Sequence, residues 1–100
     1  MMDIEQLTPA QLARLERWLK RYPNIEALEA LLLERLESGR ADGRARLDSG
    51  RLARELDTAH ALIRRTASSL EARGLIELAD RRGAGPGLWL SLLDRAVADA

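Results

Sequence analysis

Leu12, Leu15, Leu19 and Tyr22 recur at helical spacing and, with Trp18 beside them, make one apolar stripe. Thr8, Pro9, Ala10 and Gln11 precede it as a capping-box pattern with proline at the first helical position, and Pro23 stops it, so the spacing predicts a helix over 9–22. Asn24 is the expected cap of a second helix, reaching to about residue 38. Its face is Ile25, Leu28, Leu32 and Leu36, widened by Leu31 and Leu33. So broad a face predicts burial on two sides, and the polar, glycine-bearing run 38–43 is the expected break after it. The alternating stretch 44–47 reads as a short strand, and Asp48 caps a short third helix carrying Leu52, Ala53 and Leu56. Asp57 and Thr58 interrupt the pattern before a fourth helix over 59–73, with Ile63, Thr66, Ala67 and Leu70 on one face and Gly74 at its end. Strands at 75–79 and 88–91 flank a charged, glycine-rich tip at 80–87, and a short helix over 92–98 closes the chain.

Two short helices joined by a tight turn, then a strand, a charged tip and a return strand, follow the order of a winged helix-turn-helix. The expected fold is mainly α with a small β-hairpin, a winged helix-turn-helix with an extra N-terminal helix. At 100 residues, with 46% hydrophobic and 32% charged, the chain suits one core and not disorder. It is therefore read as a single domain over 1–100, with N-terminal helices at 9–38, the helix-turn-helix at 48–73 and the wing hairpin at 75–91.

Leu47, Asp48, Leu52 and Ala53, then Leu70 eighteen positions after Leu52, then Gly74 and Leu75, keep one ungapped register. Asp80 and Arg82 follow as D-x-R, and Leu88, Leu90 and Ser91 as a return strand. In these positions the sequence resembles the MarR family of bacterial transcription regulators, over roughly 47–91, under half of the chain. The resemblance implies a winged helix-turn-helix that binds DNA. It also shows departures: Asp57 stands where the family's turn has glycine, Thr58 where it has a buried aliphatic, and Ala59 where it has a serine or threonine cap. The wing is two residues longer, through Gly83, Ala84, Gly85, Pro86 and Gly87, and after Ser91 nothing corresponds to the family's long dimerisation helices.

The charge balance is zero overall, 16 basic residues against 16 acidic, but it is uneven: residues 1–39 carry five basic and seven acidic groups, and residues 40–82 carry ten and seven. Fifteen of the basic residues are arginine, the side chain suited to bidentate contact with phosphate or guanine. With Ile63 taken as the core direction, the opposite face of the fourth helix carries Ala61, Arg65, Ser68 and Ala72. Small side chains there admit close approach to base edges, so Ala61, Arg65 and Ser68 are the expected base contacts, Arg65 on a guanine and Ala61 on a thymine methyl. Arg64 and Ser69 flank that face and, with Arg51 and Arg54 on the preceding helix, are expected at phosphates. Arg81 and Arg82 at the wing are expected at the minor groove or backbone. A pairing of Arg82 with Asp80 that merely fixes the hairpin is the competing expectation. Trp18 and Trp89 lie on apolar patterns and are expected as core or interface anchors.

The absence of cysteine removes disulfides, thiolate metal sites and cysteine nucleophiles, and it suits a reducing compartment. The lone His60 has no second ligand at metal spacing and reads as a turn residue, so no catalytic role, metal or cofactor is expected. Gly83, Gly85 and Gly87 precede a strand and not a helix, which argues for wing flexibility over a phosphate loop. No apolar run reaches bilayer length, and residues 1–10 lack a signal-peptide pattern. The expectation is a cytoplasmic protein whose partner is double-stranded DNA, with no membrane contact. The surplus of leucine on the first two helices suggests a homodimer through them. The alternative is a winged-helix module that binds protein and not DNA, consistent with the neutral net charge.

Overall fold

Thr8 caps the first helix as its sequence predicts: its hydroxyl accepts from the Gln11 N–H at 3.1 Å, and the Gln11 side chain accepts from the Thr8 N–H at 2.8 Å. The computed structural model describes residues 4–82, 85 and 87–98. A 3₁₀ turn at Ile4–Gln6 leads into α1 (Pro9–Arg21) and α2 (Ala27–Ala41). Then come β1 (Leu47–Asp48), α3 (Ser49–Glu55), α4 (His60–Ala72), β2 (Ile76–Asp80), β3 (Leu88–Leu92) and α5 (Asp94–Ala98). The fold is mainly helical with a small three-stranded antiparallel sheet, in the element order of a winged helix-turn-helix with an added N-terminal helix.

The second helix departs from expectation at both ends. It is capped at Glu26, where the Glu29 carboxylate accepts from the Glu26 N–H at 2.8 Å, and not at Asn24. The carbonyl of Asn24 instead accepts from Arg73. At the other end, Ser38 and Gly39 do not break the helix, which continues to Ala41. Gly39 is buried, and a Cβ there would lie 3.3 Å from Leu47 Cδ2, so this glycine permits close approach of α2 to β1. The reversal comes later, at Gly43, whose φ of +86° is open to glycine at little cost.

A third strand joins the expected hairpin. β1 pairs with β3 antiparallel, Leu47 opposite Leu90, so the sheet order is β1-β3-β2. The observed β1 is Leu47–Asp48, shorter and later than the alternation over 44–47 suggested. β3 runs one residue further than expected, through Leu92, and displaces the start of the last helix to Asp94.

α2 lies at the centre. Leu28, Leu31, Leu32, Leu33 and Leu36 are all buried, with α1 packed on one side and α4 and β3 on the other. The predicted two-sided burial of α2 is therefore satisfied within a single chain, while Leu12 and Leu19 of α1 stay partly exposed. Among the described residues, Leu62 is the one large apolar side chain left exposed, at 43%.

Glu34 of α2 is also fully buried. Its carboxylate accepts from Arg14 Nε of α1 at 3.1 Å and from Arg35 Nε and Nη2 at 2.8 and 2.9 Å. This bidentate pairing is the first cause of the raised pKa of Arg35. A buried carboxylate is costly unless so satisfied. Glu34→Ala is expected to lower unfolding free energy by about 1–3 kcal/mol, since both arginines are partly exposed and can turn to water. Urea denaturation measures this, and a change within about 0.5 kcal/mol, typical of a surface site, would contradict the assigned role.

Candidate nucleic-acid interface

Asp48 sets the first helix of the helix-turn-helix: it caps α3 by accepting from the Arg51 N–H at 3.3 Å. The turn that follows is built from Asp57, Thr58 and Ala59. Asp57 takes a φ of +48°, the left-handed conformation for which glycine is usual and aspartate comparatively tolerant. Thr58 is half-buried, and its hydroxyl donates to the Leu56 carbonyl at 2.9 Å, which satisfies the polar group at a position suited to an aliphatic. Ala59 supplies no side-chain cap to α4. His60, the first residue of α4, is tied instead to Ser49 of α3, with Nε2 2.8 Å from the buried hydroxyl.

α4 buries Ile63, Thr66, Ala67 and Leu70 and exposes Ala61, Arg64, Arg65, Ser68 and Ala72. The predicted outward face is therefore on the surface, with two arginines among three small side chains. Among the described residues Arg54, Arg64, Arg65 and Arg82 enter no ion pair, whereas Arg14, Arg17, Arg35, Arg40 and Arg73 all do. Arg51 is engaged with Glu55 four residues on, at 2.9 Å, an exposed pair weak enough to exchange.

Two expected contacts have other partners. The Ser69 hydroxyl donates to Glu29 Oε2 at 2.9 Å, and Arg73 Nε donates to the same oxygen at 3.0 Å. Ser69 thus ties α4 to α2 through its hydroxyl while the residue stays exposed on the flank of α4. At the wing, Arg81 pairs with Asp48 at 2.9 Å, so the ion pair that fixes the hairpin runs from Arg81 to β1, not from Arg82 to Asp80. Of the wing glycines Gly83 lies outside the described residues, as do Ala84 and Pro86, while Gly85 has a φ of +62°.

Trp18 is a core anchor as expected, its indole N–H donating to Glu37 at 3.1 Å. Trp89 is not in the core. It is half-buried beneath Arg46, whose guanidinium lies 4.2 Å from the ring centroid. The sequence offers Trp89 as a core or interface anchor and gives Arg46 no role beside it. The signal was the strand alternation, which sends Trp89 opposite to Leu88 and Leu90. Beside α4, Arg65, Leu62, Thr66 and Ser69 line a shallow groove of ≈ 240 Å³ with Glu26 and Glu29. Among the described residues no group of three or more His, Cys, Asp or Glu is placed to hold a metal, and no helix is long and apolar enough to cross a membrane.

No protein-family model matches the chain, and no curated protein matches it at a significant level.

Burial acts to raise the Glu29 carboxyl, but the Glu26 N–H, the Ser69 hydroxyl and Arg73 outweigh it and hold its pKa below the ordinary value of 4.5. A carboxyl with a depressed folded-state pKa contributes stability above its unfolded pKa and loses that contribution as pH falls through the folded value. The fold is therefore expected to weaken below pH 4.5 as Glu29 protonates and the tie between α2 and α4 is lost. Urea midpoints for the wild type and Glu29→Gln, followed from about pH 6 to about pH 3, test this. The wild type should fall more steeply than the variant, and parallel curves would contradict it.

Proposed function

We propose that this protein binds double-stranded DNA in a sequence-specific way, as a bacterial transcription regulator acting in the cytoplasm. In this reading α4 enters the major groove and the wing over 80–87 meets the minor groove or backbone. The observation that carries it is the outward face of α4, where Arg64 and Arg65 stand among Ala61, Ser68 and Ala72 without carboxylate partners among the described residues. A helix so faced can approach base edges closely, and a free guanidinium can donate two hydrogen bonds to guanine. Arg65, Ala61 and Ser68 read bases, while Arg64 and Arg54 meet phosphates on either side. Arg51 can join them by leaving Glu55, and Arg82 extends the contact at the wing. The MarR-like register over 47–91 agrees with this reading.

A second reading, a winged-helix module that binds protein without DNA, is favoured by one observation. Leu62 is exposed beside Arg65 and Glu26, and an apolar side chain between opposite charges suits a protein surface. Arg65→Ala separates the two. In fluorescence anisotropy with a duplex enriched by selection, the variant should lose about 1–3 kcal/mol of affinity and relax its base preference at one position. An unchanged affinity and preference would remove Arg65 from the interface. Failure of selection to enrich any duplex, with a protein co-purifying through Leu62, would favour the second reading.

A further inference from the structure

β3 sends Leu90 and Leu92 into the core and turns Trp89 to the outer face of the sheet, between Asp48 of β1 and Ala79 of β2. Arg46, on the residue before β1, covers that ring, and Arg81, on the residue after β2, reaches it at 5.6 Å. Arg82 and Asp80 complete the walls of a depression of ≈ 410 Å³ around the indole. Two guanidiniums from separate segments of chain therefore lie against one aromatic side chain, with Arg82 beside them in the wall of the depression. Arg46 and Arg82 have no carboxylate partner among the described residues, and Arg81 shares its charge with Asp48.

Surface arginines are ordinarily mobile, and ordering them opposes binding. Here the Trp89 ring lies within cation–π distance of Arg46 and Arg81, and Asp48 also holds Arg81. A guanidinium stacked by its face keeps its N–H fork free at the edge, the geometry that matches phosphate oxygens. The cluster is also fixed relative to α4. The N–H of Leu88, the neighbour of Trp89, donates to Ser49 Oγ at 2.9 Å, and that hydroxyl bonds His60 at the start of α4. Two hydrogen bonds thus link the cluster's strand to the first turn of the helix that faces the bases.

We propose that Arg46 and Arg81, held against Trp89, and Arg82 beside them clamp a phosphodiester group of the duplex whose groove α4 enters. This rests on the DNA reading above and adds to it a backbone contact made from the outer sheet face, with Arg46 and Trp89 as its new members.

The two tryptophans make the clamp measurable. Trp89 reports on the cluster, and Trp18, buried and bonded to Glu37, is an internal reference. Indole N–H resonances are followed by NMR while a short duplex, and separately inorganic pyrophosphate, is added to the wild type and to the Arg46→Ala/Arg82→Ala variant. Both substitutions are at exposed positions. The expected result is a shift of the Trp89 resonance with duplex while Trp18 stays still. The variant should lose that shift, and its slope of log affinity against log salt should shrink by about one for each phosphate contact removed. If the duplex binds and moves α4 amides, but Trp89 is still and the slope is unchanged, the clamp is wrong and the DNA reading stands. If pyrophosphate moves Trp89 while no duplex binds, the cluster is a small-anion site, and both the duplex clamp and the DNA reading fall. If neither ligand moves Trp89, the clamp is overturned.

Discussion

α2 is packed on two sides, and along its buried length it carries two glutamates. Burying a carboxylate is costly unless charged and hydrogen-bonding partners surround it, so each dictates where a neighbouring helix lies. Glu34 takes Arg14 from α1 and Arg35 from its own helix. Glu29, one and a half turns earlier, takes Ser69 and Arg73 from α4 while also closing the N-terminus of α2. Leucine packing around α2 tolerates sliding more readily than these bonds do, because apolar burial is non-directional and hydrogen bonds are not. The rotation of α4 about its own axis follows from this. With Ser69 and the capping residue Arg73 bonded to Glu29, Ala61, Arg65 and Ser68 are left facing outward.

The same pairing explains how a chain of zero net charge can present a cationic surface. Carboxylates in and around the scaffold consume Arg14, Arg17, Arg35, Arg40 and Arg73. The arginines without carboxylate partners among the described residues include Arg54, Arg64 and Arg65 on the helix-turn-helix and Arg46 and Arg82 around the wing. Net charge sums over both populations and hides the second. For long-range attraction to a polyanion, the local distribution matters as well as the total.

Much of this was legible in the sequence because it rests on local rules. The capping box at Thr8, the Asp48 cap, the Gly74 stop and the apolar face of α4 each depend on residues a few positions apart. The misread features depend on distant partners. Gly39 looks like a helix breaker until Leu47 is seen to pack against it, and Asn24 looks like a cap until its carbonyl is seen to accept from Arg73, while the nearby box of Glu26 and Glu29 closes the helix. Ser69 looks like a surface hydroxyl because its partner lies forty positions away in sequence. For Trp89 the alternation separates the two expected roles: a strand residue out of phase with Leu88 and Leu90 lies on the other face and not in the core.

In the proposed reading the exposed arginines of the helix-turn-helix and the wing meet a DNA duplex, Arg65 at bases and the others at phosphates. The most direct test is fluorescence anisotropy of a generic labelled duplex titrated with the intact protein at low and moderate salt. The account predicts binding in the micromolar range that weakens steeply as salt rises, the signature of counterions released from phosphates. No binding at about 100 µM protein in low salt, weaker than ordinary non-specific association, would contradict it.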